Sequence, residues 1–221
     1  PAGGYGETHT PAGGDAGIGA HPVQTNRLAA AQSPMFVVMG GDPGMNDLIT
    51  QPTVGKLTDM KGGKLVVDAP DTAFAFQAYR MSADVGLVRG VDYQVVKVGR
   101  GAHRIKAMLE DRSNTAAVLN IPYSLEAQRA GLKSFGDTTD YIGPYQANSA
   151  FALRPWAEAN RDLLTRYIAA YVECLRWVMA PENAADGAAI LVEDLNVERD
   201  VAAECVRRLT SPRTGFEPNA E

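Results

Sequence analysis

The chain has 221 residues, a formal net charge of −5 at neutral pH, 45% hydrophobic residues and 21% charged residues. That length suffices for one large or two small globular domains with real cores. The mild acidity, with no Lys/Arg run anywhere, argues against a nucleic-acid binder, and no stretch approaches the roughly 20 consecutive apolar residues that span a bilayer.

Residues 1–14 are rich in Gly and Pro and poor in large apolar groups, so a flexible tail is expected there. They carry neither the basic start nor the apolar run of a signal peptide, although a secreted protein that has lost its signal is compatible with the sequence. Ala16–Ala20 is small and apolar, consistent with a short buried strand, and Pro22 can open a helix that Val23 to Ala31 continue. Met35–Met39 is a continuous apolar run, the pattern of a strand covered on both faces. Gly40-Gly41-Asp42-Pro43-Gly44 breaks regular structure, and after Met45 to Gln51 comes Pro52, which stops any helix.

Lys56 to Gly63 reads as a turn-rich lead-in to a strand at Leu65–Val67. Asp71 or Thr72 can cap the following helix, whose Phe74, Ala75, Ala78, Tyr79 and Ser82 share a face, with Gly86 as its stop. Tyr93–Val98 is a strand. His103 to Glu110 is a short helix with Ile105, Met108 and Leu109 inward. Ala116–Leu119 is another strand, and Ser124 to Ala130 another helix ended by Gly131. Strands alternating with helices mean βαβ units and a mostly parallel sheet. Tyr141 to Asn148 is a polar, aromatic connection and Ala150–Leu153 a strand. A long helix from about Trp156 to Met179 repeats Leu164, Ile168, Tyr171, Leu175 and Val178 at helical spacing. Pro181 ends it, and Ala184 to Leu195 and Arg199 to Leu209 are two more amphipathic helices.

No catalytic cluster stands out. The histidines are His9, His21 and His103, with no metal-ligand spacing among them, and neither a zinc-protease motif nor a nucleophile elbow occurs. Cys174 and Cys205 both sit in helical patterns and read as small buried apolar residues rather than a disulfide. Gly99-Arg100-Gly101-Ala102-His103-Arg104 follows a strand and opens a helix, as a dinucleotide fingerprint does. Arg104, however, occupies the third glycine position, and the next strand ends in Asn120 where a ribose-binding acid would be wanted, so a tight turn is the better reading.

The loops at the strand ends are better candidates. Open α/β sheets bind ligands just beyond the carboxyl ends of their strands, and helix N-termini there present free N–H groups. Asp68 to Phe74 joins a strand to a helix start, which nominates Asp71, Thr72, Ala73 and Phe74; a plain helix cap is the simpler role for Asp71 or Thr72. Asn120 and Tyr123 have the same position one strand over, where an aromatic face and an amide can line a pocket. Gln146 and Asn148 in the later connection, with Asp42 and Asn46 in and after the glycine-rich break, complete the set. These loops hold no Arg clamp, which weakens the case for a strongly anionic ligand and suits a neutral or aromatic one.

From Met35 onward the chain resembles periplasmic solute-binding proteins of the nitrate/sulfonate/taurine type, also described as NMT1/THI5-like. The resemblance is carried by Phe36-Val37-Val38-Met39-Gly40-Gly41, by Leu57-Thr58-Asp59-Met60-Lys61-Gly62-Gly63-Lys64-Leu65-Val66-Val67-Asp68, by Ala107 to Glu110 with Ala116 to Leu119, and by Tyr141 to Leu153. Asp15 to Ala20 is similar to the family's "G-x-x-D-I-G" strand. The resemblance implies an α/β fold of the type II periplasmic-binding-protein class: two lobes with mostly parallel sheets, joined by two crossovers, and a helical C-terminal third. Residues 15–50 with 146–221 would form the first lobe and 56–141 the second, with a small molecule held between them.

It further implies a periplasmic, non-enzymatic carrier that needs no cofactor or metal, neither binds nucleic acid nor inserts into the membrane, and delivers its ligand to the permease of an ABC importer. Family members normally begin with a strand and helix that complete the first lobe, so that lobe is expected to be incomplete here. The usual Gly and Asp around Asp111 to Thr115 are also missing. The alternative is an enzyme on the same fold, thiamine-pyrimidine-synthase-like or decarboxylase-like; the former carries a cysteine-rich motif that two cysteines do not supply.

Overall fold

The computed structural model describes residues 16–18, 35–213, 215 and 216. The expected tail at 1–14, the helix expected over Val23 to Ala31, His9 and His21 lie outside these described residues. The strands in chain order are β1 (Ala16–Ile18), β2 (Met35–Gly40), β3 (Asn46–Thr50), β4 (Lys64–Val67), β5 (Gln94–Lys97), β6 (Asn114–Asn120), β7 (Lys133–Asp137) and β8 (Ser149–Leu153). The helices are α1 (Ala73–Asp84), α2 (Gly101–Glu110), α3 (Tyr123–Arg129), α4 (Thr139–Ile142), α5 (Arg154–Ala159), α6 (Arg161–Met179), α7 (Ala184–Leu195) and α8 (Arg199–Leu209). The chain divides into two compact units, Met45–Tyr145 and Pro1–Gly44 with Gln146–Glu221.

The Met45–Tyr145 unit is built on a five-stranded sheet of order β5-β4-β6-β3-β7. Successive residues of its strands point to opposite faces, and each face has its own core. Leu48, Leu65, Val67, Ala116 and Val118 face one way and pack under Ala75, Ala78 and Met81 of α1 with Leu57 and Met60. Ile49, Val66, Ala117 and Leu119 face the other way, against Ile105 and Met108 of α2 and Ala127 of α3. Burying a Leu, Ile or Val side chain contributes about 1.5–3 kcal/mol, so this two-faced sheet is the main source of the unit's stability.

Strand β3 is a correction to the sequence reading. Residues 45–50 were expected to close the first lobe, with no strand there. They form a fully buried strand of the Met45–Tyr145 unit, paired with β6 from Asn46↔Asn120 to Thr50↔Ala116. Only Leu48 and Ile49 of its five residues are apolar, so neither alternation nor an apolar run announces it.

The expectation of mostly parallel sheets holds for β4, which is parallel to β5 and β6. It fails for β3, antiparallel to both β6 and β7, and for β8, antiparallel to β1 and β2. A parallel pair needs a crossover of a dozen or more residues. β3 is reached from β2, a strand of the other sheet, and so stands outside the strand–helix–strand series that sets β4, β5 and β6 parallel.

In the other unit, Met35–Gly40 does form a strand, but it is not covered on both faces: its residues are half-buried and Val37 is 48% exposed. The long helix expected from Trp156 to Met179 is two helices. Asn160 leaves helical geometry at φ −125°, and its side-chain amide donates to the Trp156 carbonyl at 2.9 Å, the local competition with helix that asparagine offers. Cys205 is buried in α8 as expected, whereas Cys174 is exposed on α6, and neither is in a disulfide.

Candidate ligand-binding edge of the five-stranded sheet

The parallel strands β4, β5 and β6 all end at one edge of the sheet, at Val67, Lys97 and Asn120. Antiparallel β3 begins there, because Asn46 pairs with Asn120. β7 also ends there, with Asp137 opposite Asp47, and the Thr138 N–H donates to the Asn46 carbonyl at 2.7 Å. One edge therefore collects the loops before α1, α2 and α3 and the segment after β7.

Seven of the ten nominated residues are at this edge. Thr72 caps α1: its hydroxyl accepts from the Ala75 N–H at 3.3 Å and donates to Asp68 at 2.6 Å. Ala73 is buried at the first turn, Phe74 is half-buried beside it, and Asp71 is exposed. Asn120 ends β6, its side-chain amide donating to the Ile121 carbonyl at 3.0 Å. Tyr123 opens α3 and its ring lies against Gly101, where a Cβ would overlap it. Asn46 is 1% exposed.

The other three lie in the second unit and are occupied with one another. The Asp42 carboxylate accepts from the Gly44 N–H at 2.6 Å and from the Asn148 amide at 2.6 Å. Gln146 donates to the Asn148 carbonyl at 2.6 Å, and the Gly41 N–H donates to the same carbonyl at 2.8 Å. Built Cβ atoms on Gly40 and Gly41 would stand 2.8 Å from Gln146 and 3.1 Å from Asn148, so the glycine pair permits this close backbone approach. Asp42, Gln146 and Asn148 thus lace residues 40–44 to residues 146–148.

Among the buried polar side chains at the edge that were not nominated, two matter most. Arg104 is 2% exposed, donates from Nη1 to the Val118 carbonyl at 2.6 Å, and holds its guanidinium 5.0 Å from the centre of the Phe74 ring. Its Nε has no partner among the described residues. Burial lowers the guanidinium pKa, opposed by the charge of Asp68 and by Tyr123. The nearest sequence signal was its spacing: residues 101, 104, 105 and 108 are the buried face of α2, while Leu109, expected inward, is 49% exposed. A charged residue on an inward face was the clue.

The second is Gln77, 2% exposed in α1. Its Oε1 accepts from Asn46 Nδ2 at 3.2 Å and from the Thr138 hydroxyl at 2.7 Å. Tyr145 lies close by, its phenol pKa raised by burial and opposed by the Gln77 side chain.

Among the described residues no group of three or more His, Cys, Asp or Glu could hold a metal ion. An apolar hollow of about 480 Å³ in the other unit is lined by Val178, Pro181, Ala188, Ala203 and Val206, with Arg207 and Thr210 as its polar groups. Its single cation is already paired with Glu204, so it offers little to orient a solute.

No protein-family model matches the sequence, and no curated protein matches it. Solved structures do. The aliphatic sulphonate binding protein SsuA of Escherichia coli superposes with a TM-score of 0.71 at 19% identity, over 86% of this chain and 64% of that one. The alkanesulfonate-binding protein SsuA of Xanthomonas axonopodis pv. citri, bound to MOPS, gives 0.72 at 13% identity, over 87% and 65%. The nitrate-binding protein NrtA of Synechocystis PCC 6803 gives 0.70 at 13% identity, over 88% and 55%. The chain therefore spans less than two-thirds of the length of each, and at these identities the likeness is one of fold: this is an α/β chain with the periplasmic-binding-protein fold.

Proposed function

We propose that this chain is the solute-binding component of an ABC importer. The observation that carries the reading is the match over 86% of the chain, at a TM-score of 0.71, to a protein that binds aliphatic sulphonates. The nitrate- and alkanesulfonate-binding neighbours support it in the same way.

The site we assign is the edge where β4 and β6 end and β3 begins. Thr72, Ala73 and Phe74 offer the N-terminus of α1, with Asp71 at its mouth. Tyr123 and Asn120 offer an aromatic face and an amide, and Asn46 a buried amide. Buried Arg104 supplies a positive charge stacked on Phe74, which favours a solute bearing negative charge over the neutral one suited to the loops alone. Asp42, Gln146 and Asn148 bond to one another and hold the chain crossings rather than the solute.

The neighbours are binding proteins by name, which supports a carrier over an enzyme, a periplasmic location, and permease subunits as the partners that receive the solute. No helix of the described residues is long and apolar enough to cross a membrane.

The test is a thermal-shift titration with nitrate, ethanesulfonate, taurine and MOPS. A solute at 100 times its dissociation constant stabilises the folded state by about 2.7 kcal/mol, equivalent to roughly 5–10 °C for a chain of this size. No concentration-dependent shift with any of them would remove the reading.

A further inference from the structure

Helix α6 (Arg161–Met179) leaves an apolar stripe open to solvent. Leu163 is 49% exposed and Trp177 37% exposed, and Ala170 and Cys174 between them are exposed too. At 3.6 residues per turn these four positions fall within about 60° of one another and run about 21 Å along the helix. Single exposed apolar residues are ordinary, but a continuous stripe ending in a tryptophan marks an interface. Tyr167 and Tyr171, half-buried, border the stripe on one side, and Arg166 and Glu173, both exposed, border it on the other. Neither of those two charges is in an ion pair among the described residues; Arg166 donates from Nε to the Asp162 carbonyl at 3.3 Å.

The stripe is its own complement. Ala170 stands seven residues after Leu163 and seven before Trp177. A second α6 laid antiparallel on the first, with a two-fold axis at Ala170, sets Leu163 of each copy against Trp177 of the other and brings the two Ala170 methyls together. A small residue at the centre lets the helices approach to about 8 Å. Arg166 of one copy and Glu173 of the other then share a flank, about 1.5 Å apart along the helix axis, and the symmetry makes that charge pair twice. A hollow of about 340 Å³, lined by Glu158, Asn160, Arg161, Leu163 and Arg166, lies at the end where Trp177 of the other copy arrives. Its guanidinium groups suit the face of an indole ring and its carboxylate suits the indole N–H.

We propose that two copies of this chain associate through α6, antiparallel, about a two-fold axis at Ala170. Self-complementarity selects a second copy as the occupant of the stripe. A different protein would require no relation among Leu163, Ala170 and Trp177, nor between Arg166 and Glu173, whereas a two-fold contact requires both. One helix face buries less than the about 800 Å² per partner of a standard interface. The association is therefore weak, with a dissociation constant on the order of 100 μM. It does not depend on the solute-binding reading.

The experiment is sedimentation equilibrium of the whole chain from about 10 μM to about 1 mM, a range set to bracket that constant. Arg166→Glu places like charges together twice and should weaken the dimer about tenfold. Arg166→Glu with Glu173→Arg restores opposite charges on the same flank and should return the constant to within about threefold of wild type. Register is read by oxidative cross-linking. Ala170→Cys, made in a Cys174→Ala chain, puts two thiols at the two-fold axis, within the reach of a disulfide. Cys174 of the wild-type chain should not cross-link, because its two copies stand about 12 Å apart along the axis.

Concentration-dependent dimers that respond to the charge exchanges, with cross-links at Ala170→Cys and none at Cys174, are the expected result. A chain that stays monomeric up to about 1 mM overturns the association and leaves the stripe to another protein. A dimer that Arg166→Glu leaves unchanged places the contact elsewhere and overturns it equally. Cross-linking at Cys174 with none at Ala170→Cys overturns the antiparallel register about Ala170.

Discussion

The guanidinium of Arg104 stacks 5.0 Å over the ring of Phe74, while its Nη1 donates to the Val118 carbonyl at 2.6 Å. One residue from α2 thus touches both the helix start that follows β4 and the strand β6, and it carries a buried positive charge to the edge where the strands end. A buried charge is costly to desolvate, so removing it offsets part of what the lost hydrogen bond to Val118 contributed.

Arg104→Met is therefore expected to lower folding stability by no more than about 1–2 kcal/mol, the lost hydrogen bond being partly offset by the charge no longer desolvated. Binding of an anionic solute should weaken at least about tenfold through loss of a charge-assisted contact. Urea unfolding reads the first and calorimetric titration with the anion found in the thermal-shift screen reads the second. A loss of several kcal/mol with unchanged affinity would make Arg104 a purely structural residue.

Gly101 and Tyr123 make a second pair. A Cβ at residue 101 would overlap the Tyr123 ring, so Gly101→Ala must displace that ring or shift the start of α2. Overpacking of this kind costs about 1–3 kcal/mol. With Tyr123 in the solute site, affinity should fall as well, and Tyr123→Ala in the Gly101→Ala background should recover most of the stability while leaving affinity low. Denaturant melts of the single and double variants test this.

Asp111 accepts from the Ser113 hydroxyl at 2.7 Å, the Ser113 N–H at 2.9 Å and Lys64 at 3.1 Å. These bonds hold its carboxyl at a pKa of about 2, with the Ser113 hydroxyl the largest cause. A depressed folded-state pKa contributes stability that is fully present above the unfolded value of about 3.9 and disappears as pH falls through the folded value. Asp111→Asn should thus flatten the stability curve between about pH 4 and pH 2 and change its shape little above pH 5. Melting temperature against pH for both proteins is the measurement; because the carboxylate is exposed, the difference should also shrink in high salt.

Leu65 is 0% exposed at the middle of the sheet. Leu65→Ala is expected to cost about 2–5 kcal/mol by creating a cavity under α1. Thr72→Ala, at the start of the same helix, should cost only about 1 kcal/mol through the lost cap. Chemical denaturation of the two variants should rank them in that order; the reverse order would mean that packing beneath α1 contributes less than its first turn.

The parts of this fold that follow from chain-local chemistry were readable in advance. The apolar runs at Leu65–Val67 and Ala116–Leu119, a cap at Asp71 or Thr72 and the stop at Gly86 mark a strand–helix alternation, because each signal is complete within a few residues. So is the lead-in from Leu57 to Asp68 that resembles the solute-binding family. The break at Asn160 was not readable, because asparagine at a helix start and asparagine bonded back to Trp156 look alike in sequence. Leu109 was expected inward on α2 for a related reason: a one-residue change in the inward face exchanges it for Arg104, and hydrophobicity alone favours the leucine.

What the sequence determined by itself was the succession of elements apart from β3 and β7, and the loops in which polar groups would gather, since backbone propensity and side-chain period act over one or two turns. What only the tertiary structure decided was which strands are neighbours, and with it which loops meet. Asn46, Asp47 and Thr50 make β3 look like a loop, and it becomes a strand because β6 and β7 supply partners on both sides and two apolar faces for Leu48 and Ile49. That pairing brings Asn46 to Gln77 and Thr138, residues 31 and 92 positions further along the chain. The free energy that holds them there comes from burial and hydrogen bonding across the sheet, which no local stretch of the chain contains.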